Sequence, residues 1–140
     1  MRAADVPYHV RMLDHVSIPV ADLGRAASFY DAVLATLGLR RRKERPGAIG
    51  YGLESRPAPV FWLLARAGEG SASPGTGLHV SFHAPDRPSV DAFHETALRC
   101  GGKDAGSPGL RPHYTMPFYG AFVLDLDGFK IEAVCRRAPE

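Results

Sequence analysis

The chain has 140 residues, 45% hydrophobic and 23% charged, with a formal net charge of +2. That length suits a single domain, burying roughly two thirds of the surface its unfolded form exposes. So small and dispersed a charge gives no argument for a nucleic-acid partner, no run approaches the ~18 apolar residues of a membrane span, and the opening MRAADVPYHVRM lacks the apolar core of a signal peptide; a cytoplasmic protein with neither nucleic acid nor membrane as partner is expected.

In chain order, a first strand opens at His15, with Val16, Ile18 and Val20 on one face and His15 and Ser17 on the other. The turn Ala21-Asp22-Leu23-Gly24 leads into a helix that places Ala26, Phe29, Val33 and Leu37 at spacings of three and four, and Gly38 supplies a C-terminal stop. The basic run Arg40-Arg41-Arg42-Lys43, with Arg45 behind it, reads most simply as a solvated helix exit complementing the helix dipole; steering of an anionic substrate stays open. Strands are predicted over 49–53 and 60–65, and residues 68–76 read as a flexible linker.

A second strand-helix unit follows. Val80, Phe82 and Ala84 oppose His79, Ser81 and His83, the turn Asp86-Arg87-Pro88-Ser89 enters a helix carrying Val90, Phe93 and Ala97, and Gly101-Gly102 ends it. Residues 101–109 are expected to form a mobile loop. Strands over 121–126 and 130–135 are joined through Asp127-Gly128, a strong hairpin signal. Cys100 and Cys135 lack CxxC spacing and read as reduced, partly buried thiols. His94 and His9 look like surface residues.

These two units are imperfect copies. A shift of 64 positions lays Leu13–Gly38 on Gly77–Gly102 without a gap and makes seven pairs identical, including His15 with His79, Ser17 with Ser81, Asp22 with Asp86 and Phe29 with Phe93. Each copy is one supersecondary unit that cannot bury its own apolar face, so the two must pack together. An approximate two-fold relation would then bring His15 and His79 to the same point.

The last strand adds a carboxylate. Ile131, Ala133 and Cys135 alternate with Lys130, Glu132 and Val134, which sets Glu132 on the face opposite the helices, where an ionised carboxylate is costly unless paired or bound to a cation. His15, His79 and Glu132 are a natural divalent-metal set that leaves coordination positions open for substrate or oxygen. Laying 60–66 on the last strand puts Trp62 where the second copy has Glu132, so the symmetry breaks there and Trp62 becomes an apolar, stacking wall.

The segments LDHVSIPVADLGRAASFYDAVLATLGL, GLHVSFHA and YGAFVLDLDGFKIEAVCR resemble the vicinal oxygen chelate superfamily, which includes glyoxalase I, bleomycin-resistance proteins, fosfomycin-resistance thiol transferases and extradiol dioxygenases. The resemblance implies an α+β domain spanning 1–140, in which two βαβββ modules, about 11–67 and 77–137, form an open U-shaped mixed sheet around a divalent ion. It puts the ligands on His15, His79 and Glu132, and the ion would be Fe2+, Mn2+, Ni2+ or Zn2+. The implied activity is lyase, isomerase or extradiol dioxygenase chemistry on a small substrate that chelates the metal through adjacent oxygens. Glyoxalase I usually adds a fourth, acidic ligand where Trp62 stands, with Glu54 an imperfect substitute, which weakens the glutathione-dependent reading.

Extradiol enzymes add a His and a Tyr near the metal, and His83, His113, Tyr114 and Tyr119 are the candidates for such catalytic roles. His83 lies on the ligand face about 13 Å along the strand from His79. Ser17, Ser81, Trp62 and Phe122 are candidates for substrate binding. The alternative is a non-catalytic module of bleomycin-resistance type that sequesters a small molecule between Trp62, Phe122 and the tyrosines. A homodimer is expected; whether the modules pair within one chain or swap with those of a second stays open.

Overall fold

A computed structural model describes residues 13–66, 77–112 and 117–138. The order is β1 (Val16–Val20), α1 (Leu23–Ala35), β2 (Leu39–Arg45), β3 (Ala48–Leu53) and β4 (Phe61–Ala65), then β5 (His79–His83), α2 (Arg87–Arg99), β6 (Lys103–Leu110), β7 (Tyr119–Leu124) and β8 (Lys130–Cys135). Each half is thus βαβββ, and each folds into its own four-stranded mixed sheet, ordered β1-β4-β3-β2 and β5-β8-β7-β6. The first strand of each half pairs parallel with the last, and the remaining pairs are antiparallel.

The local signals act as anticipated. The Asp22 carboxylate accepts from the Arg25 amide at the start of α1, and Asp86 accepts from the Ser89 amide and hydroxyl at the start of α2, so equivalent residues satisfy orphan N–H groups in both halves. Gly128 closes the β7–β8 turn at φ +88°, a left-handed conformation that side chains resist.

Two strands differ from the sequence reading. The basic run after α1 is no helix exit but the outermost strand β2, exposed along all of its length after Leu39. Its Arg41 donates to both Asp31 oxygens and to Glu44, so the ladder to β3 and charge pairing to α1, not a buried apolar face, hold it in place. The stretch expected to be a loop at 101–109 is largely β6, whose two register shifts against β7 accommodate Gly106, Pro108 and Gly109. Both strands lack the period-two apolar pattern because neither buries a face.

One apolar core serves both halves. Phe29, Tyr30, Val33 and Leu34 of α1 meet Phe61 and Leu63 of β4, while Val90, Phe93 and Ala97 of α2 meet Val123, Ile131 and Ala133, and all belong to one cluster. Each Phe, Val, Leu or Ile among them contributes about 1.5–3 kcal/mol on burial. Phe61 and Phe82 meet edge to face at 5.2 Å across the module boundary. His94, read as a surface residue, is buried on α2 and lies 2.9 Å from Asp104 of β6.

A polar latch crosses the same boundary. The buried Tyr30 hydroxyl of α1 donates to Oδ2 of Asp125 at 2.6 Å, while Oδ1 of Asp125 accepts from the amides of Asp127 and Phe129. Burial holds this carboxyl above its ordinary range, and the hydrogen bond from Tyr30 only partly offsets that. Tyr30→Phe removes a hydrogen-bond donor to a buried oxygen and should lower unfolding free energy by about 1–3 kcal/mol in urea titration. An unchanged midpoint would show that the latch is dispensable.

Candidate functional site

Registers place the chemistry-bearing residues on the faces opposite the helices. Ser81 pairs with Glu132 and Glu132 with Phe122, and in the first half Ser17 pairs with Trp62 and Trp62 with Gly50. The two serines are equivalent by the repeat, so Trp62 does stand where the second half has Glu132. A side chain at Gly50 would meet Pro59 at 2.8 Å and the Trp62 ring at 2.9 Å, so only glycine lets the indole lie down on this sheet. The Arg45 guanidinium covers the ring at 4.6 Å from its centroid.

In the second half, Glu132 is 4% exposed, with Oε1 3.3 Å from Nε2 of His79. Its other oxygen, Oε2, is buried without a hydrogen-bond partner. A buried carboxylate oxygen left this way costs about 1–3 kcal/mol or more unless a cation or donor meets it. Phe122 stands beside the pair, its ring 6.1 Å from the His79 ring and flanked by the Lys130 ammonium at 4.8 Å and the Arg111 guanidinium at 5.7 Å.

His15 is not brought to this pair. Among the described residues no group of three His, Cys, Asp or Glu side chains is close enough to share a metal ion. The edge strands β1 and β5 adjoin two cavities instead of a common point. His15 lines one of about 380 Å³ with Ser81 and His83, whereas His79 lines another of about 230 Å³ with Ser17, Pro19 and Lys130. Within one chain the strands therefore run past each other in opposite senses, and residues near Ser17 and Ser81, not the two histidines, lie closest to the pseudo-two-fold. His15 is half exposed, and its Nδ1 is 2.6 Å from the Asp14 carboxylate. A proton on Nδ1 in that contact leaves Nε2 as the free, electron-donating nitrogen.

Of the remaining candidates, His83 is exposed on the same strand face as His79, toward His15. Tyr119 is not at the site: on β7 it alternates with Phe122's face, its hydroxyl donates to Asp91 of α2 at 2.6 Å, and the Arg87 guanidinium sits over its ring at 5.1 Å. It is a helix-packing residue, and the hydrogen bond to Asp91 raises its pKa. His113 and Tyr114 lie outside the described residues. Lys130, Arg111, Arg45 and Asp14 join the site beyond the residues expected from sequence, although Lys130 shares a strand face with Glu132 and Asp14 adjoins His15 in the sequence.

Two outcomes test this placement. Gly50→Ala should drive the sole tryptophan, Trp62, off the sheet, destabilising the fold by about 1–3 kcal/mol and shifting its fluorescence to the red; an unchanged spectrum would show that the ring does not rest there. Tyr119→Phe should leave any ligand or metal affinity unchanged, and a drop would return Tyr119 to the site.

Comparison with known proteins agrees with this fold. Residues 12–133 match the family model described as the Glyoxalase/Bleomycin resistance protein/Dioxygenase superfamily. A glyoxalase/bleomycin resistance protein from Albidiferax ferrireducens is 32% identical, with a TM-score of 0.81 over 90% of this chain and 100% of its own. A glyoxalase-related enzyme from Fulvimarina pelagi shares the fold at TM-score 0.68 and 17% identity, covering 89% of this chain and 88% of its own. Glyoxalase I from Zea mays does so at 0.68 and 23%, over 88% of this chain and 45% of its own. Curated protein sequences yielded no significant match. The paired βαβββ modules, the repeated histidine and the extent of the family match make this chain a member of the glyoxalase/bleomycin resistance/dioxygenase superfamily, that is, of the vicinal oxygen chelate fold.

Proposed function

We propose that the protein is a metal-dependent enzyme acting on a small substrate that presents adjacent oxygens, with His79 and Glu132 of one chain and His15 of a second chain holding a divalent ion. The observation that carries this reading is the orphaned, buried Oε2 of Glu132 next to the His79 imidazole. A carboxylate and an imidazole suit Zn2+, Fe2+, Mn2+ or Ni2+. Among the described residues no third donor joins His79 and Glu132, which supports completion by a second copy. The exposure of Leu13, two residues before His15, and of Leu78, directly before His79, fits a face that another subunit covers.

Bound there, the ion would act as a Lewis acid on the chelated oxygens and stabilise negative charge that develops on them. The chain's own side chains would do the rest. Asp14 orients His15 through Nδ1, Phe122 and Trp62 offer flat apolar walls, and Ser17 and Ser81 present hydroxyls on the same faces. A second reading, sequestration of a small molecule without catalysis, is favoured by Trp62 lying where a further acid would complete a four-ligand set.

Calorimetric titration of the anaerobically purified protein with each ion separates the two. Wild type should take up stoichiometric metal, and Glu132→Gln and His15→Ala should each cost more than the roughly 10–100-fold typical of losing an outer-sphere partner. Sedimentation should show a dimer, with metal uptake lost on dilution to monomer. Equal uptake by wild type and Glu132→Gln would overturn the metal reading and leave sequestration.

A further inference from the structure

The groove faces of both sheets are basic. In the second half, Lys130 and Arg111 converge on Phe122, and neither has a carboxylate partner within 4.0 Å among the described residues. Arg111 is instead steadied by backbone, donating to the carbonyls of Ser107 at 2.9 Å and Leu110 at 3.5 Å. Gly106 makes room for this arrangement, since a Cβ there would meet the Phe122 ring at 2.9 Å and the Arg111 guanidinium at 3.4 Å. In the first half, Arg45 covers Trp62, and Lys43 pairs with Gly50, the residue paired with Trp62, on the same face. The basic run of the sequence thus reaches the groove rather than only bulk solvent.

Two cations held against one aromatic ring, next to a carboxylate that a metal would neutralise, make a two-part receptor. The ring offers apolar contact area, and the cations lying over it offer charge-assisted hydrogen bonds to an anion. We infer that the ligand of this groove is a small aromatic carboxylate, its ring against Phe122 and its anionic group between Lys130 and Arg111. This rests on the Glu132 face being the site, as proposed above, but the recognition itself needs no metal. A neutral aromatic forfeits both cations, and an aliphatic acid forfeits the ring.

Mandelate is a suitable probe, since it joins a phenyl ring to a carboxylate with a neighbouring hydroxyl; mandelamide keeps the ring and both oxygens without the charge. Ligand-observed NMR on the full chain should show mandelate binding at least about tenfold more tightly than mandelamide, with an affinity that falls as salt rises. Lys130→Gln and Arg111→Gln should each remove most of that preference without weakening mandelamide or Zn2+ binding. In metal-free protein, Glu132→Gln should tighten mandelate by removing the like charge, while abolishing metal uptake. Equal affinities for the two probes, a preference untouched by Lys130→Gln and Arg111→Gln, or failure to bind either probe would overturn the inference. Loss of metal uptake alone would instead count against the metal reading and leave this one standing.

Discussion

The hydrogen bond between Tyr30 and Asp125 fixes the relation on which the rest of the molecule depends. It joins the helix of the first module to the β7–β8 turn of the second, within a core where Phe29, Phe61, Phe82 and Phe93 come from both. Asp125 also accepts from Asp127 and Phe129, so the carboxyl that receives Tyr30 is the one that shapes the hairpin. That hairpin starts β8, and β8 carries Glu132. The position of the buried acid is therefore referred through two residues to a helix of the other module. Low dielectric around the latch strengthens the bond and makes its absence costly.

Duplication supplied the scaffold, and one substitution in it gave the halves different chemistry. The registers Ser17–Trp62 and Ser81–Glu132 are the same structural position occupied by an indole in one copy and a carboxylate in the other. Each alternative carries its own supporting cast: Gly50, Pro59 and Arg45 around the indole, His79 and Phe122 around the acid. One sheet face accordingly offers stacking and cationic charge, and the other offers a donor pair as well.

The elements that bury a face were readable from residue patterns. β8 at Lys130–Cys135 and the two helices with their Asp22 and Asp86 caps stand where alternation, spacing and turn chemistry place them. β2 and β6 were not readable, because edge strands with no buried face carry no period-two signal; one is held by ion pairs to Asp31 and the other is bent at Gly106 and Gly109. Strand parity puts His79 and Glu132 on the faces opposite the helices, and the parallel pairing of β5 with β8 brings them together. The separation of His15 from them does not, since the repeat defines equivalence but not the offset at which two copies pack. Tyr119 was misplaced for a related reason: counting along β7 puts it on the core side with Ala121 and Val123, a parity that the loop-like sequence before it obscured. The cations around Phe122 depend on side-chain reach across strands, which sequence spacing does not encode.

The edges of the two sheets carry a further implication. β2 is lined with cations, β6 is broken by Pro108 and two register shifts, and Pro19 removes a backbone donor from the free side of β1, given that the Val16 amide points to β4. Each device hinders pairing with a foreign strand. β5 has none of them, and its alternate amides, at His79, Ser81 and His83, face away from β8, as the Ala84 bond to Val134 shows. A fibre built by strand addition needs two receptive edges on every subunit, whereas a closed pair needs one. The outer side of β5 instead faces β1 of the same chain across a cavity lined by Ser17, Pro19 and His79, so the one edge without a blocking residue of its own is shielded by the other copy of the repeat.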